Sequence, residues 1–240
     1  MASKARLFYS KELKSGIISK LSKTQSHYVK NVMRLNQGEK ISLFNSSDGE
    51  WDASILVHSK DLTEFKVEKL SRPHGMKENN LWLAFSPIKK ISQDIMIQKT
   101  TELGILKFVP LLCERSIVRE INIDRSKKII IEASEQSNRI SVPEILKLQP
   151  LEHFIKNFPE NGQIIFCDIN CKTSNIEKIA LKENPVCILI GPEGDFSENE
   201  RQLIIDHKKT ISTSIAKNIL KSETAAIAAS TILSFQLNFK

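Results

Sequence analysis

Two short stretches hold residues whose types and order could do chemistry. The first is Ile188-Leu189-Ile190-Gly191-Pro192-Glu193-Gly194-Asp195-Phe196-Ser197-Glu198-Asn199-Glu200. An apolar, β-branched run ends there in a Gly-Pro-Glu-Gly turn, and a helix follows, opened by a capping box of Ser197 with Glu200. Ligands of open α/β sheets bind just beyond the carboxyl ends of strands, and glycines at such a place let backbone groups approach a ligand closely. The second stretch, Ile219-Leu220-Lys221-Ser222-Glu223-Thr224-Ala225-Ala226-Ile227-Ala228-Ala229, opens another helix. Ser222 or Thr224 can cap it, and Glu223 is favoured near its positive end. The alanines allow close packing against a sheet, a ligand or a second subunit. Taken singly, the first stretch also serves an ordinary strand–turn–helix connection, and the second a plain buried helix.

Two further segments, Gln98–Gly104 and Glu132–Arg139, place mixed charges on helices. Such faces are usually solvated surface, but Lys99 or Arg139 turned into a cleft could hold a phosphate. Other signatures are missing. The chain has no G-x-x-x-x-G-K-[ST], no G-x-G-x-x-G, no G-x-S-x-G and no H-E-x-x-H. The four cysteines, Cys113, Cys167, Cys171 and Cys187, form no C-x-x-C pair and read as reduced core thiols. Cys167 and Cys171 with Asp168 lack a second ligand cluster at metal-site spacing, so no metal is expected.

The elements that must position these residues change in character along the chain. Glu39–Asn45, Glu50–His58 and Thr63–Leu70 are short β-prone stretches separated by turn residues, a pattern that suggests a small barrel. His27–Leu35 suits one or two helical turns. Residues 73–80 read as a linker between a first domain, 1–72, and a second, 81–240. In the second, the strands Leu81–Phe85, Lys107–Leu112, Gln163–Asp168, Val186–Ile190 and Thr210–Ile215 are expected. They alternate with the helices Ser92–Leu103 (capped by Gly104), Asp124–Ser137, Ser197–His207 and Ser222–Leu237. That alternation predicts an α/β domain with a mostly parallel sheet.

Charge is distributed unevenly. Residues 1–40 hold nine Lys and Arg against Glu12 and Glu39, which accounts for the whole net charge of +7. A basic leading segment is what a phosphate backbone selects, although a lysine-rich soluble surface looks the same. Met1–Ser10 carries charges and no apolar segment, and no run approaches a membrane span, so a cytoplasmic, membrane-free protein is expected.

Taken together, and in this order, the segments resemble the 16S ribosomal RNA uridine N3-methyltransferases of the SPOUT (knotted) superfamily. The matching pieces are Arg6-Leu7-Phe8, His27 through Arg34, Gly38, Gln98–Gly104 with Pro110, Glu132–Arg139 with Pro143, Gly191–Gly194 and Ile219–Ala225. The resemblance implies a PUA-like β-barrel that binds RNA, followed by a SPOUT α/β domain with a trefoil knot near its C-terminal end. It implies S-adenosylmethionine held by Leu189, Ile190, Gly191, Pro192, Glu193, Gly194, Ile219, Leu220, Glu223, Thr224 and Ala225. Glu193 or Glu223 would be the acid/base or orienting group and Lys221 the anion stabiliser. Arg6, Arg34, Lys89, Lys99 and Arg139 would meet RNA phosphates. The partners implied are 16S rRNA, in the 30S ribosomal subunit, and a second copy of the chain.

Four positions depart from the family pattern. Asp195 and Ala216 stand where glycine is usual, and Asn218 and Lys221 where arginine is usual. Alanine at a position needing positive φ costs stability, so the loop before Ile219 is expected to take a different shape. Lysine keeps the charge of arginine but loses its bidentate geometry. Two other readings are a sibling enzyme acting on tRNA (ribose 2′-OH or guanine N1) and a non-catalytic RNA-binding assembly factor.

Overall fold

The computed structural model describes residues 5–58, 62–75, 79–172, 176–181 and 185–238. They fall into two compact units. The first comprises the described part of 1–77 together with 134–142, and the second 79–133 with 143–238. The stretch 134–142, expected in the second domain, therefore clusters with the first.

The first unit is a five-stranded sheet. Its strands are β1 (Arg6–Phe8), β2 (Ile18–Lys20), β3 (Lys40–Asn45), β4 (Gly49–His58) and β5 (Thr63–Arg72), in the order β1-β3-β4-β5-β2. β1 runs parallel to β3, with Arg6 opposite Ser42. The other pairs are antiparallel. The β3–β4 turn is fixed locally: Asn45 Oδ1 accepts from the Ser47 and Asp48 amides at 3.0 and 2.6 Å, and Gly49 takes φ +85°, which costs glycine nothing. Leu7, Val29, Leu43, Ile55, Phe65 and Val67 form the core. A short helix, α1 (Lys23–His27), has a capping box of Ser22 with Gln25 and continues into one π turn, Tyr28–Val32. β1 and β2 are three residues each, too short for an alternation to be read from sequence.

The second unit is α/β. Its elements are β6 (Leu81–Phe85), α2 (Lys90–Glu102), β7 (Lys107–Leu112), α3 (Ile123–Gln136, whose last three residues cluster with the first unit), β8 (Glu144–Ile145), β9 (Gln149–Pro150), α4 (Leu151–Lys156), β10 (Gln163–Cys167), β11 (Val186–Ile190), α5 (Glu198–Asp206), β12 (Thr210–Thr213) and α6 (Ser222–Asn238). The sheet order is β12-β10-β11-β6-β7-β8, with β9 beside β7, and every pair is parallel. β11 is buried at all five positions, as a continuous apolar run requires when helices cover both faces. Parallel pairing brings the carboxyl ends of β6, β7, β10, β11 and β12 to one edge, so the segments that follow Phe85, Cys167, Ile190 and Thr213 gather there.

The expected caps are present. Gly104 takes φ +104° after α2. Ser197 and Glu200 form the capping box of α5, with the Ser197 amide 3.0 Å from Glu200 Oε2. Among the described residues, no helix is long and apolar enough to cross a membrane, and no group of three His, Cys, Asp or Glu side chains could hold a metal ion.

Candidate functional site

β11 ends at Ile190, and the chain turns through residues 192–195, closed by the Asp195 amide donating to the Pro192 carbonyl at 3.0 Å. Phe196 then enters the core, edge-on to Phe166 at 5.5 Å between centroids. A Cβ on Gly191 would lie 2.8 Å from the Phe196 ring. Packing against Phe196 thus favours glycine at 191 independently of any ligand. Asp195 takes φ +59°, so the position that glycine usually fills still needs a left-handed backbone. Aspartate is one of the few residues that tolerates one. Its Oδ1 accepts from the Phe196 amide at 2.8 Å.

The second stretch arrives from β12 through residues 214–221. Ser214 Oγ donates to the Ala216 carbonyl at 3.0 Å. Ala216 is not among the non-glycine residues with positive φ, which are Arg34, Asn138 and Asp195 in the described chain. The alanine therefore carries no left-handed strain. At the start of α6, Ser222 Oγ donates to the Gly191 carbonyl at 3.2 Å. This bond brings the two sequence stretches into one place. Glu223 Oε1 accepts from Ser92 Oγ at 3.0 Å, so α2 orients this carboxylate.

Beside them opens a cleft lined by Cys167 at the end of β10, by Asp168 and Ile169 after it, by residues 214–220, and by Ala225. Apolar walls from Ile169, Ile215, Ile219 and Leu220 alternate with polar ones from Asp168, Ser214, Lys217 and Asn218. Of the residues singled out from sequence, Ile219, Leu220 and Ala225 line this cleft. Leu189 and Ile190 are buried strand residues, whose side chains belong to the core. Pro192 is also buried, while Glu193, Gly194, Lys221 and Thr224 are exposed near the two turns. The sequence reading placed none of residues 167–169 and 214–218, nor Ser92, in a cofactor site; it named Ala216 and Asn218 only as departures from the family pattern, and Cys167 and Asp168 only as a discarded metal site. The signal available for 167–169 was the end of the buried strand Gln163–Cys167, which parallel pairing carries to the same edge.

The five residues expected at RNA phosphates differ in their surroundings. Arg34 and Lys89 are exposed. Lys99 is exposed too, and bonds Glu102 at 2.9 Å. Arg139 Nη2 donates to Ser141 Oγ at 2.9 Å. Arg6 must be corrected. Its Nε bonds Glu50 Oε2 at 3.0 Å, and Nη1 donates to the Ser134 carbonyl at 2.8 Å. Nη2 reaches the Arg139 carbonyl, and the guanidinium stacks 3.6 Å from the Phe44 ring centroid. Its donors are spent inside the first unit, so it is a structural residue. Burial pulls the Arg6 pKa down against the attraction of Glu50, but from so high a starting value the group remains cationic at neutral pH.

Comparison with known proteins decides the family. Residues 76–234 match the pattern of an RNA methyltransferase domain, and residues 21–68 that of an RNA methyltransferase PUA domain. Ribosomal RNA small subunit methyltransferase E of Rickettsia conorii is 36% identical over 207 residues, covering 85% of this chain and 83% of the relative. The chain belongs to this RNA methyltransferase family. Its Buchnera aphidicola (subspecies Schizaphis graminum) member is 30% identical over 237 residues, 95% of this chain and 94% of the other. The Neisseria gonorrhoeae methyltransferase E, crystallised with S-adenosyl methionine, superposes with a TM-score of 0.86 at 26% identity, covering 98% of this chain and 99% of that one. A Legionella pneumophila methyltransferase solved with bound SAM gives 0.88 at 28% identity, covering 98% of each chain. The α/β unit with a mostly parallel sheet and the separate small β unit are therefore the SPOUT methyltransferase and PUA-like parts that the sequence resemblance implied.

Proposed function

We propose that this protein methylates N3 of one specific uridine in 16S rRNA, using S-adenosylmethionine. The observation that carries the reading is the Ser222–Gly191 bond beside the cleft at the carboxyl edge of the sheet. The cleft pairs apolar walls with polar groups, which suits a nucleoside bearing a charged amino-acid tail. Backbone groups of Leu189, Ile190, Gly191, Pro192, Glu193 and Gly194 would hold the cofactor, together with Ile219, Leu220, Glu223, Thr224 and Ala225. The cofactor supplies an electrophilic methyl carbon, whose transfer is an in-line displacement that alignment accelerates. Uracil N3 carries a proton at neutral pH, which must leave before or during transfer. Glu193 or Glu223 would take it, and Lys221 would stabilise the anion left behind. Ser92 holds Glu223 in one orientation. The target base must be unpaired or drawn from its stack to be reached.

On the same reading, Arg34, Lys89, Lys99 and Arg139 meet RNA phosphates, and the protein works in the cytoplasm on the 30S subunit. It does so as a homodimer. Ile91 and Ile95 of α2 are 76% and 44% exposed, and Phe235 of α6 is 64% exposed. These two helices pack on each other, and the large apolar side chains they leave uncovered suit a second copy. The deciding experiment is mass spectrometry of 16S rRNA from a strain lacking the gene. Loss of one N3-methyluridine, restored by the wild-type gene, is the expected result; unchanged modification overturns the reading.

A further inference from the structure

Asp168 has no role in the chemistry above, yet its carboxylate is buried on the wall of the cleft, with the residue only 2% exposed. It follows the last residue of β10, and its amide donates to the Thr213 carbonyl at 3.0 Å. Oδ2 accepts from Arg201 Nη2 of α5 at 2.6 Å. Oδ1 accepts from the Asn170 amide at 2.9 Å, with Arg201 Nε at 3.5 Å. The Asp168 carbonyl closes the turn by accepting from the Cys171 amide at 3.2 Å. The side chain of Asn170 then reaches across to the other turn, its Nδ2 donating to Asp195 Oδ2 at 3.3 Å. One run of hydrogen bonds therefore leads from α5, through the 168–171 turn, to the 192–195 turn.

That run has a position to maintain. Ile169, at the tip of the first turn, lines the cleft while 55% exposed, and Ile219 lines it at 83% exposed. Two large exposed apolar side chains on the walls of an open cleft gain by burying against each other. An ion pair with one buried partner, Asp168, and one half-buried partner, Arg201, adds little net stability compared with apolar residues of the same shape, but it imposes geometry. We propose that Asp168 and Arg201, with the Asn170–Asp195 link, are positioning residues. They hold the two turns at a fixed spacing and keep the cleft open to receive the cofactor. Such preorganisation lowers the ordering cost that binding would otherwise carry.

This inference rests on the proposed use of S-adenosylmethionine, and the test separates the two. Cofactor is titrated by calorimetry into wild type, Asn170→Ala, Asp195→Gly and Asp195→Asn, with thermal melts of each and KM and kcat on 16S rRNA. Asn170 is exposed, so Asn170→Ala should leave Tm unchanged; Asp195→Gly suits φ +59° but also removes the acceptor of the Phe196 amide, so a small fall in Tm is expected for it. Both are expected to weaken cofactor binding about three- to tenfold, the worth of one ordinary hydrogen bond. KM for cofactor should rise with kcat retained. Asp195→Asn keeps an acceptor and tolerates the left-handed backbone, and it should bind as wild type does. If wild type binds while Asn170→Ala and Asp195→Gly bind equally well, the strap is overturned and the proposed function stands. If wild type itself gives no heat with S-adenosylmethionine, the proposed function falls and the strap with it.

Discussion

Ser222 Oγ donates to the Gly191 carbonyl at 3.2 Å, across 31 residues of chain. The bond joins the first residue of α6 to the first residue after β11, the two places where the sequence concentrates its unusual residues. Ser222→Ala leaves a carbonyl with one fewer donor and lets the two stretches separate. A net loss of about 1 kcal/mol is expected, felt as roughly fivefold weaker binding of S-adenosylmethionine by calorimetry. Ser222→Thr keeps the hydroxyl and should restore most of it. Equal binding by the alanine variant would reject the coupling.

Gly191 provides a second test, because its reason is packing. A Cβ there would lie 2.8 Å from Cε2 and 3.0 Å from Cδ2 of Phe196. Overpacking of this kind costs about 1–3 kcal/mol. Gly191→Ala should lower the urea midpoint, and Gly191→Ala with Phe196→Leu should recover part of the loss. If instead glycine is there for ligand approach, the single variant keeps its stability and loses only cofactor binding.

Much of this was legible in the sequence, for definite reasons. Val186–Ile190 is a short, continuous, β-branched apolar run, the pattern of a strand covered on both faces. Ser197 with Glu200, and Gly104, announce their caps by residue type alone. The family pattern named both turns. What stayed hidden depends on partners far away in sequence. The cleft walls at 167–169 and 214–218 were not read as walls, because their place follows from β10 and β12 pairing side by side. Ser92 gains its meaning from Glu223, 131 residues away. Arg6 looked like a phosphate ligand because its charge is visible in the sequence and its partners Glu50, Ser134 and Arg139 are not.

The corrected basic set yields a measurement. Each Lys or Arg that no longer neutralises a phosphate lowers the slope of log K against log salt by about 0.7 on single-stranded nucleic acid. Arg34→Ala, Lys89→Ala, Lys99→Ala and Arg139→Ala should each flatten the slope for a 16S rRNA fragment by about that amount. Arg6→Ala should leave the slope unchanged in whatever fraction stays folded and lower Tm instead. A flattened slope for Arg6→Ala at unchanged Tm would return it to the RNA surface.

Glu50 should make the first unit acid-sensitive. Burial alone would raise its pKa, but hydrogen bonds from Ser42, Arg72 and Arg6 outweigh that and hold it below its ordinary 4.5. A carboxyl depressed in the folded state stabilises fully above its unfolded pKa, and the contribution is lost as pH falls through the folded value. Wild-type stability in urea should therefore fall as pH drops below about 4.5. Glu50→Gln should be weaker by about 3 kcal/mol at pH 7, since it strands the partly buried Arg6 and Arg72 cations. Its stability should also change less between pH 5 and pH 3 than wild type. Parallel acid curves for the two proteins would show that Glu50 is not the group responsible.

The cysteines give the last prediction. Burial pushes the Cys113 thiol up to about 12, and the charge of Glu200 adds to it. Burial pushes Cys167 up to about 12 as well and raises Cys187 further. Only a thiolate attacks a disulfide reagent, so at pH 8 about one molecule in ten thousand presents a reactive Cys113. Cys113 and Cys187 are also 1% and 0% exposed. Treated with Ellman's reagent at pH 8, the native protein should react first at the half-buried Cys171. Cys167, on the cleft wall, should follow more slowly, and Cys113 and Cys187 should stay silent until guanidinium exposes all four. Cys171→Ser should remove the fast phase. A fast phase that survives this substitution would mean that one of the three raised thiols opens to solvent in the folded protein, and peptide mapping of the labelled residue would say which strand end gives way.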